Sequence, residues 1–215
     1  MIDQSNADAR QVDAAIAHIR AGRHQQAREL LMDVVSRTPA DYRPQREEGD
    51  SLVVELWSVT DFLEYVTWMR EAGRERNILW AANAYPRAFY YLGYLAIETG
   101  DLLGAITLLD RGLQLEPASA QLANEKAQAF LRLGAHRLAG PLYDQVLASP
   151  GFVSSHDRAV ALRGKAFTLV EEFDFDGAEA ALRQSLDLEP DSTVAMGELE
   201  AVQRLRRTAG KRGTP

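Results

Sequence analysis

The four histidines, His18, His24, His136 and His156, are the side chains suited to proton transfer near neutral pH, and their spacing decides what they can do. His18 and His24 miss the i, i+4 interval that would put two imidazoles on one helix face to hold zinc. The stretch DFDG at 174–177 has a faint likeness to a calcium loop. It lacks the third ligand pair and the distal glutamate, and it reads as a helix-terminating turn. With no cysteine, the chain has no thiolate nucleophile, disulfide or cysteine-ligated zinc. No phosphate-binding glycine loop, nucleophile elbow or paired catalytic carboxylates stand at recognisable spacing, so the reading is a non-enzyme with no catalytic residue, metal or cofactor.

What remains is recognition chemistry. Tyr85, Tyr90, Tyr91 and Tyr94 crowd one short segment. Tyr90 and Tyr94, four apart on a helix, share a face, while Tyr91 lies about 100° around it. A phenol offers apolar area with one polar tip, although aromatic residues on helices more often serve packing. Arg158 and Lys165 are two turns apart on one face and, with Arg132, would make a cationic end suited to an acidic peptide; a solvated helix face is the plainer reading.

The elements that must carry these groups announce themselves by repetition. The segments at 87–117 and 166–190 close on LQLEP and LDLEP. Ala27 is followed by Pro39, Ala105 by Pro117 and Ala178 by Pro190 at one constant interval, and Ala139 by Pro150 at one residue less. A glycine precedes each alanine: Gly22, Gly100, Gly134 and Gly177. This layout predicts a helix, a tight turn, a second helix and a proline stop. Ile106, Leu109 and Leu113 then fall on one face.

In these residues the chain resembles the tetratricopeptide repeat (TPR) family, whose unit is 34 residues long. The best unit, 86–119, carries Phe89, Leu92, Gly93, Ala96, Ala105, Leu109, Gly112 and Pro117 at the preferred places. The unit at 120–153 keeps Ala127, Phe130, Ala139, Tyr143 and Val146, with Lys126 in place of a leucine. The unit at 8–41 keeps Ala15, Ala27, Leu31, Val34 and Pro39, while Gln11 and His18 depart from the pattern and weaken its first helix. The unit at 157–190 has Gly164, Phe167, Ala178, Leu182 and Pro190, with about two extra residues near 171–176 that should distort its turn.

The resemblance implies an all-α, right-handed solenoid of about four helix hairpins in one domain over 1–215. A capping helix at 191–208 carries Ala195, Leu199, Val202 and Leu205 as its stripe, with Arg204, Arg206 and Arg207 favoured near its C-terminus by the helix dipole. A disordered tail at 209–215 is expected.

Ala27 and Ala105 are 78 residues apart, one repeat period and 44 residues more, so the array is interrupted at 42–85. DYRPQREEGD reads as an exposed loop. The apolar runs at 52–57 and 77–80 flank a helix running from Asp61 to about Ala72, opened by Asp61 and Glu64 as a capping box and striped by Phe62, Tyr65, Val66 and Met69. The two runs allow a minor parallel β-pair, though periodicity alone leaves strand or helix open. Trp57, Trp68 and Trp80, all the tryptophans, lie in this insertion, as core or as partner contacts.

By resemblance, the first helices of such repeats line a concave groove. Arg87, Tyr90, Tyr94, Ile97 and Glu98, then Gln121, Asn124, Gln128, Leu131 and Arg132, then Arg158, Ala161, Lys165 and Thr168 take the ligand-facing places. Arg87, Tyr90, Tyr94, Asn124, Gln128, Arg158 and Lys165 are the expected partner contacts. The family's carboxylate clamp, which grips peptide C-termini, would need lysines and asparagines where this chain has Tyr90, Tyr94, Glu125 and Leu162; only Arg158 fits, and Glu125 would repel a carboxylate. A chaperone-tail receptor of that type is therefore rejected.

The functional expectation is a protein or peptide adaptor, with an assembly subunit whose groove is filled by its own insertion or by a second copy as the alternative. A net charge of −7 argues against nucleic-acid and anionic-membrane partners, which need clustered lysine and arginine. The absence of a leader-like N-terminus or a long apolar run suggests a cytoplasmic protein.

Overall fold

A computed structural model describes residues 2–212, with side chains from 6 to 209. Among the described residues are ten helices and a three-stranded sheet. The chain divides into two compact units, Met1–Glu125 and Lys126–Pro215.

In the first unit, α1 (Ile2–Arg20) and α2 (His24–Ser36) form one hairpin, and α4 (Tyr85–Glu98) with α5 (Leu102–Leu115) forms another. α4 packs directly on α2. Val12, Leu31, Val34, Phe89 and Leu92 share one core from α1, α2 and α4. The interruption seen in the sequence is therefore absent in space, because most of the segment between α2 and α4 loops out while these two helices stack as neighbours. Gly93 permits the close approach within the second hairpin: a Cβ there would sit 2.7 Å from Leu109 Cγ. Gln11, which departs from the repeat pattern, links the two helices of the first hairpin. Its amide donates to Leu30 O (3.0 Å) and to Asp33 Oδ2 (2.7 Å), tying α1 to α2.

The looped-out segment builds β1 (Gln45–Glu48), β2 (Ser51–Leu56), α3 (Val59–Glu71) and β3 (Asn77–Ala82). β2 and β3 form the parallel pair that the apolar runs allowed, from Ser51↔Asn77 to Leu56↔Ala82, with α3 as the crossover. The expected loop at 41–50 is corrected, since it contains β1, antiparallel to β2 from Gln45↔Val54 to Glu48↔Ser51. A hairpin turn with Gly49 at φ +57° makes this pairing possible, and the polarity of QREE is that of a charged edge strand, which hid it.

The start of α3 also differs from expectation. Ser58 is the N-cap: its hydroxyl accepts from Asp61 N (3.1 Å) and donates to Asp61 Oδ2 (2.8 Å). The capping pair is Ser58 and Asp61 rather than Asp61 and Glu64, because a serine hydroxyl reaches the orphan N–H groups one turn earlier. Tyr65 and Met69 of the predicted stripe are buried.

The second unit takes the end of α6 (Ala120–Arg132), then α7 (His136–Leu147), α8 (Ser155–Glu171), α9 (Phe175–Leu188) and α10 (Thr193–Arg212). Leu162, Ala166, Ala178, Leu182 and Val202 form its core. Lys126, out of pattern, lays its ammonium 5.7 Å from the centre of the Phe130 ring. α10 packs on α9, and Arg206 pairs with Asp176 and Glu179 at 2.8 Å each. Since α10 continues to Arg212, these ion pairs, and not the helix terminus, account for Arg206. Residues 213–215 of the expected tail lie outside the described residues.

The turn from α8 to α9 is not distorted. Asp174 N donates to Leu169 O (2.9 Å) and Phe173 N to Val170 O (3.0 Å). Gly22, Gly100 and Gly134 close their turns with the same pair of bonds. The extra residues lengthen α8 instead, and Phe173 takes the left-handed place (φ 63°) that glycine holds in the other three. Gly177 lies inside α9, its N–H donating to the N-cap carboxylate of Asp174 (2.9 Å).

Candidate functional site

The aromatic residues of the first unit make the site most suited to recognition. α4 has Pro86 in its first turn, where a missing N–H costs nothing, and a run of apolar residues that buries Phe89 and Leu92. That inward face leaves Tyr90, Tyr91 and Tyr94 half-buried, with Tyr91 and Tyr94 packed partly against the core. Trp57, just beyond β2, meets Tyr90 edge-on, with ring centres 5.0 Å apart and planes at 80°. Tyr90 meets Tyr91 at 5.1 Å and 87°. Edge-to-face rings fix one another's orientation, so Trp57, Tyr90 and Tyr91 form a pre-ordered aromatic run. The sequence placed Tyr90 among the expected contacts and offered Trp57 as core or partner contact, without joining the two. The clustering of tryptophans in the insertion was the available signal, and the contact itself joins residues 33 apart along the chain.

None of the tryptophans is fully buried. Trp57 and Trp68 are half-buried, and Trp80 is exposed with its ring stacked on Phe62. Beneath them a polar network fastens the sheet to the helices. Tyr42 donates its hydroxyl to Glu55 Oε2 (2.9 Å) and packs edge-on to Tyr85 (5.3 Å), and Arg46 reaches Glu55 Oε1 (3.1 Å). Burial raises the Glu55 carboxyl above the usual range, against the opposing pull of Tyr42 and Arg46. Burial, then the charges of Glu55 and Glu116, likewise pushes the Tyr42 phenol up.

Three of the remaining expected contacts, Arg87, Arg158 and Lys165, are each engaged within their own unit. Arg87 donates to Asp13 Oδ1 (2.6 Å) and pins α4 to α1. Asn124 is buried and Gln128 exposed. Arg158 donates to Leu147 O (3.1 Å), satisfying the carbonyl end of α7, and Lys165 pairs with Asp144 (2.9 Å). Ile97, Ala161 and Thr168 are buried, so these three residues from the ligand-facing set pack inward instead. An acidic ligand at Arg87 or Lys165 would have to displace Asp13 or Asp144, which weakens that part of the expectation.

Among the described residues no group of three or more histidine, aspartate and glutamate side chains is arranged to hold a metal ion, and no helix is long and apolar enough to cross a membrane. Three of the four histidines have separate partners: His18 accepts from Arg23 (2.8 Å), His156 pairs with Glu189 (2.6 Å) and His136 stacks on Phe167 (5.8 Å).

No protein-family model matches the chain, and no curated protein sequence does. Solved structures do. A tetratricopeptide repeat protein from Parabacteroides merdae is similar over 95% of this chain and 61% of its own, at 14% identity and a TM-score of 0.58. The Sgt2 TPR domain from Aspergillus fumigatus is similar over 63% and 87%, at 19% identity and a TM-score of 0.55. The first TPR of Spaghetti (RPAP3), bound to the HSP90 peptide SRMEEVD, is similar over 57% and 93%, at 18% identity and a TM-score of 0.50. At such identities the likeness is one of fold. With the paired helices, the shared turn chemistry and the close approach at Gly93, it establishes that this chain has the tetratricopeptide-repeat fold.

Proposed function

We propose that the protein is a non-enzymatic adaptor that binds a peptide or helix of a partner protein, with Tyr90, Tyr94 and Trp57 as its principal contacts. The observation that carries this is the ordered run Trp57, Tyr90 and Tyr91 beside Tyr94, a half-buried aromatic cluster in which three tyrosines of α4 meet a tryptophan of the insertion. Rigid aromatic side chains give large contact area at small entropic cost, which is why they anchor interfaces. The RPAP3 domain, similar in fold, holds a peptide, and this supports the ligand class. The clamp for a chaperone tail is not part of the proposal, since Tyr90, Tyr94, Glu125 and Leu162 stand where its donors would be. Arg87, Asn124, Gln128, Arg158 and Lys165 remain secondary contacts in this reading, and a cytoplasmic location goes with it.

The contact of Trp57 on Tyr90 also favours a second reading, in which the insertion occupies part of the groove itself. Capture of a native partner by wild type, Tyr90→Ala/Tyr94→Ala and Trp57→Ala proteins separates the two. The adaptor reading expects both variants to lose capture while keeping the helical circular-dichroism spectrum. Increased capture by Trp57→Ala marks the insertion as a strap. Unchanged capture by the double tyrosine variant overturns the assignment of the site.

A further inference from the structure

The two edges of the small sheet are chemically opposite. β1 is Gln-Arg-Glu-Glu, a charged edge of the kind that resists pairing with other strands. β3, the other edge, is Asn-Ile-Leu-Trp-Ala-Ala: no charge, no proline and no glycine over six residues. Among the described residues no strand pairs with its outer side. Leu79 is 45% and Trp80 41% exposed. Trp80 is held in place, with its Nε1 donating to Leu56 O (3.1 Å) and its ring stacked on Phe62 at 6.3 Å. In a parallel pair alternate residues turn their N–H and C=O groups away from the neighbour, so about half of the β3 backbone groups point outward. This is a mostly apolar, uncharged strand edge with hydrogen-bonding capacity to spare.

We propose that this edge is the dimer interface of the protein and that its occupant is β3 of a second copy, paired antiparallel to extend the sheet to six strands. An uncharged apolar strand is complemented by another such strand, and this chain supplies one in β3 itself. A two-fold axis perpendicular to the sheet keeps each side chain on its own face, which requires residues of equal parity to oppose one another. Centred on Leu79, the register sets Leu79 against Leu79 and Ile78 against Trp80, so every central cross-strand pair is apolar. The charge at the strand's start is also compatible. Arg76 opposes Ala82, which puts the two copies of Arg76 about 20 Å apart along the strands, beyond the screening length of about 8 Å. Arg76 is moreover paired within its own chain to Glu47. The interface uses none of the residues of the aromatic run Trp57, Tyr90 and Tyr91, so dimerisation and peptide capture are tested by different substitutions.

The test is sedimentation equilibrium of the full chain as wild type, Leu79→Lys, Leu79→Glu and an equimolar mixture of the two variants. The exposure of Leu79 lets both variants fold, which circular dichroism checks. The wild type is expected as a dimer, each variant alone as a monomer, and the mixture as a dimer, because lysine and glutamate then face each other across the two-fold. Hydrogen exchange at 77–82 in the wild type is expected to slow as concentration rises. A monomeric wild type, a Leu79→Lys dimer as stable as the wild type, or a mixture that stays monomeric overturns the proposal.

Discussion

Tyr85, the first residue of α4, donates its hydroxyl to Asp8 Oδ2 of α1 at 2.8 Å, across 77 residues of sequence. Arg37 at the end of α2 grips the other oxygen of that carboxylate at 2.7 Å. Asp8 is fully buried, so three helices meet on one satisfied charge and close over the point where the insertion leaves the array. Tyr85→Phe removes one hydrogen bond to a buried anion and is expected to cost about 1.5–3 kcal/mol in urea unfolding. A cost near zero would mean that Arg37 alone satisfies the carboxylate.

Glu55 should make stability depend on pH in an unusual direction. Its folded pKa is raised by burial, so the unfolded chain releases this proton first. The stabilisation is full below the ordinary glutamate value and declines as pH rises toward the folded value. Glu55→Gln removes that decline. Urea midpoints taken from acid to neutral pH are expected to show the variant gaining on the wild type as pH increases; parallel curves would contradict the assignment.

Phe173 holds a left-handed backbone while 77% exposed, in a place where three sister turns use glycine. The conformation costs a residue with a Cβ about 1–2 kcal/mol, offset in part by the greater freedom of glycine when unfolded. Phe173→Gly is therefore expected to raise stability by roughly 0.5–1 kcal/mol. Gly134→Ala is expected to lower it by about 1 kcal/mol, as read from thermal or chemical melts.

Gly164 faces the buried ring of Tyr143, which a Cβ would overlap. Neither the ring nor the helix backbone can give way cheaply, so Gly164→Ala should destabilise by about 1–3 kcal/mol. Tyr143→Leu in the same chain is expected to recover part of that loss, a coupling that a double-mutant cycle would read.

The repeats were legible because their chemistry is local. Gly100, Asp101, Ala105 and Pro117 specify a turn, a cap, a close contact and a stop within eighteen residues, and each acts on its own stretch of backbone. The apolar runs that became β2 and β3 were visible for the same reason. β1 was not, since its four polar residues become a strand only when β2 offers its hydrogen-bonding edge. Nor could the Ser58 cap be told from the later Asp61 without knowing where the backbone first turns helical. The tertiary structure alone seated α4 on α2 and so placed the insertion outside the stack, joined Trp57 to Tyr90, and engaged Arg87 with Asp13 and Lys165 with Asp144. These pairings depend on which distant surfaces meet. The amino-acid order carries periodicity and turn chemistry at short range, whereas such meetings follow from the packing of whole elements, where apolar burial outweighs any single local preference.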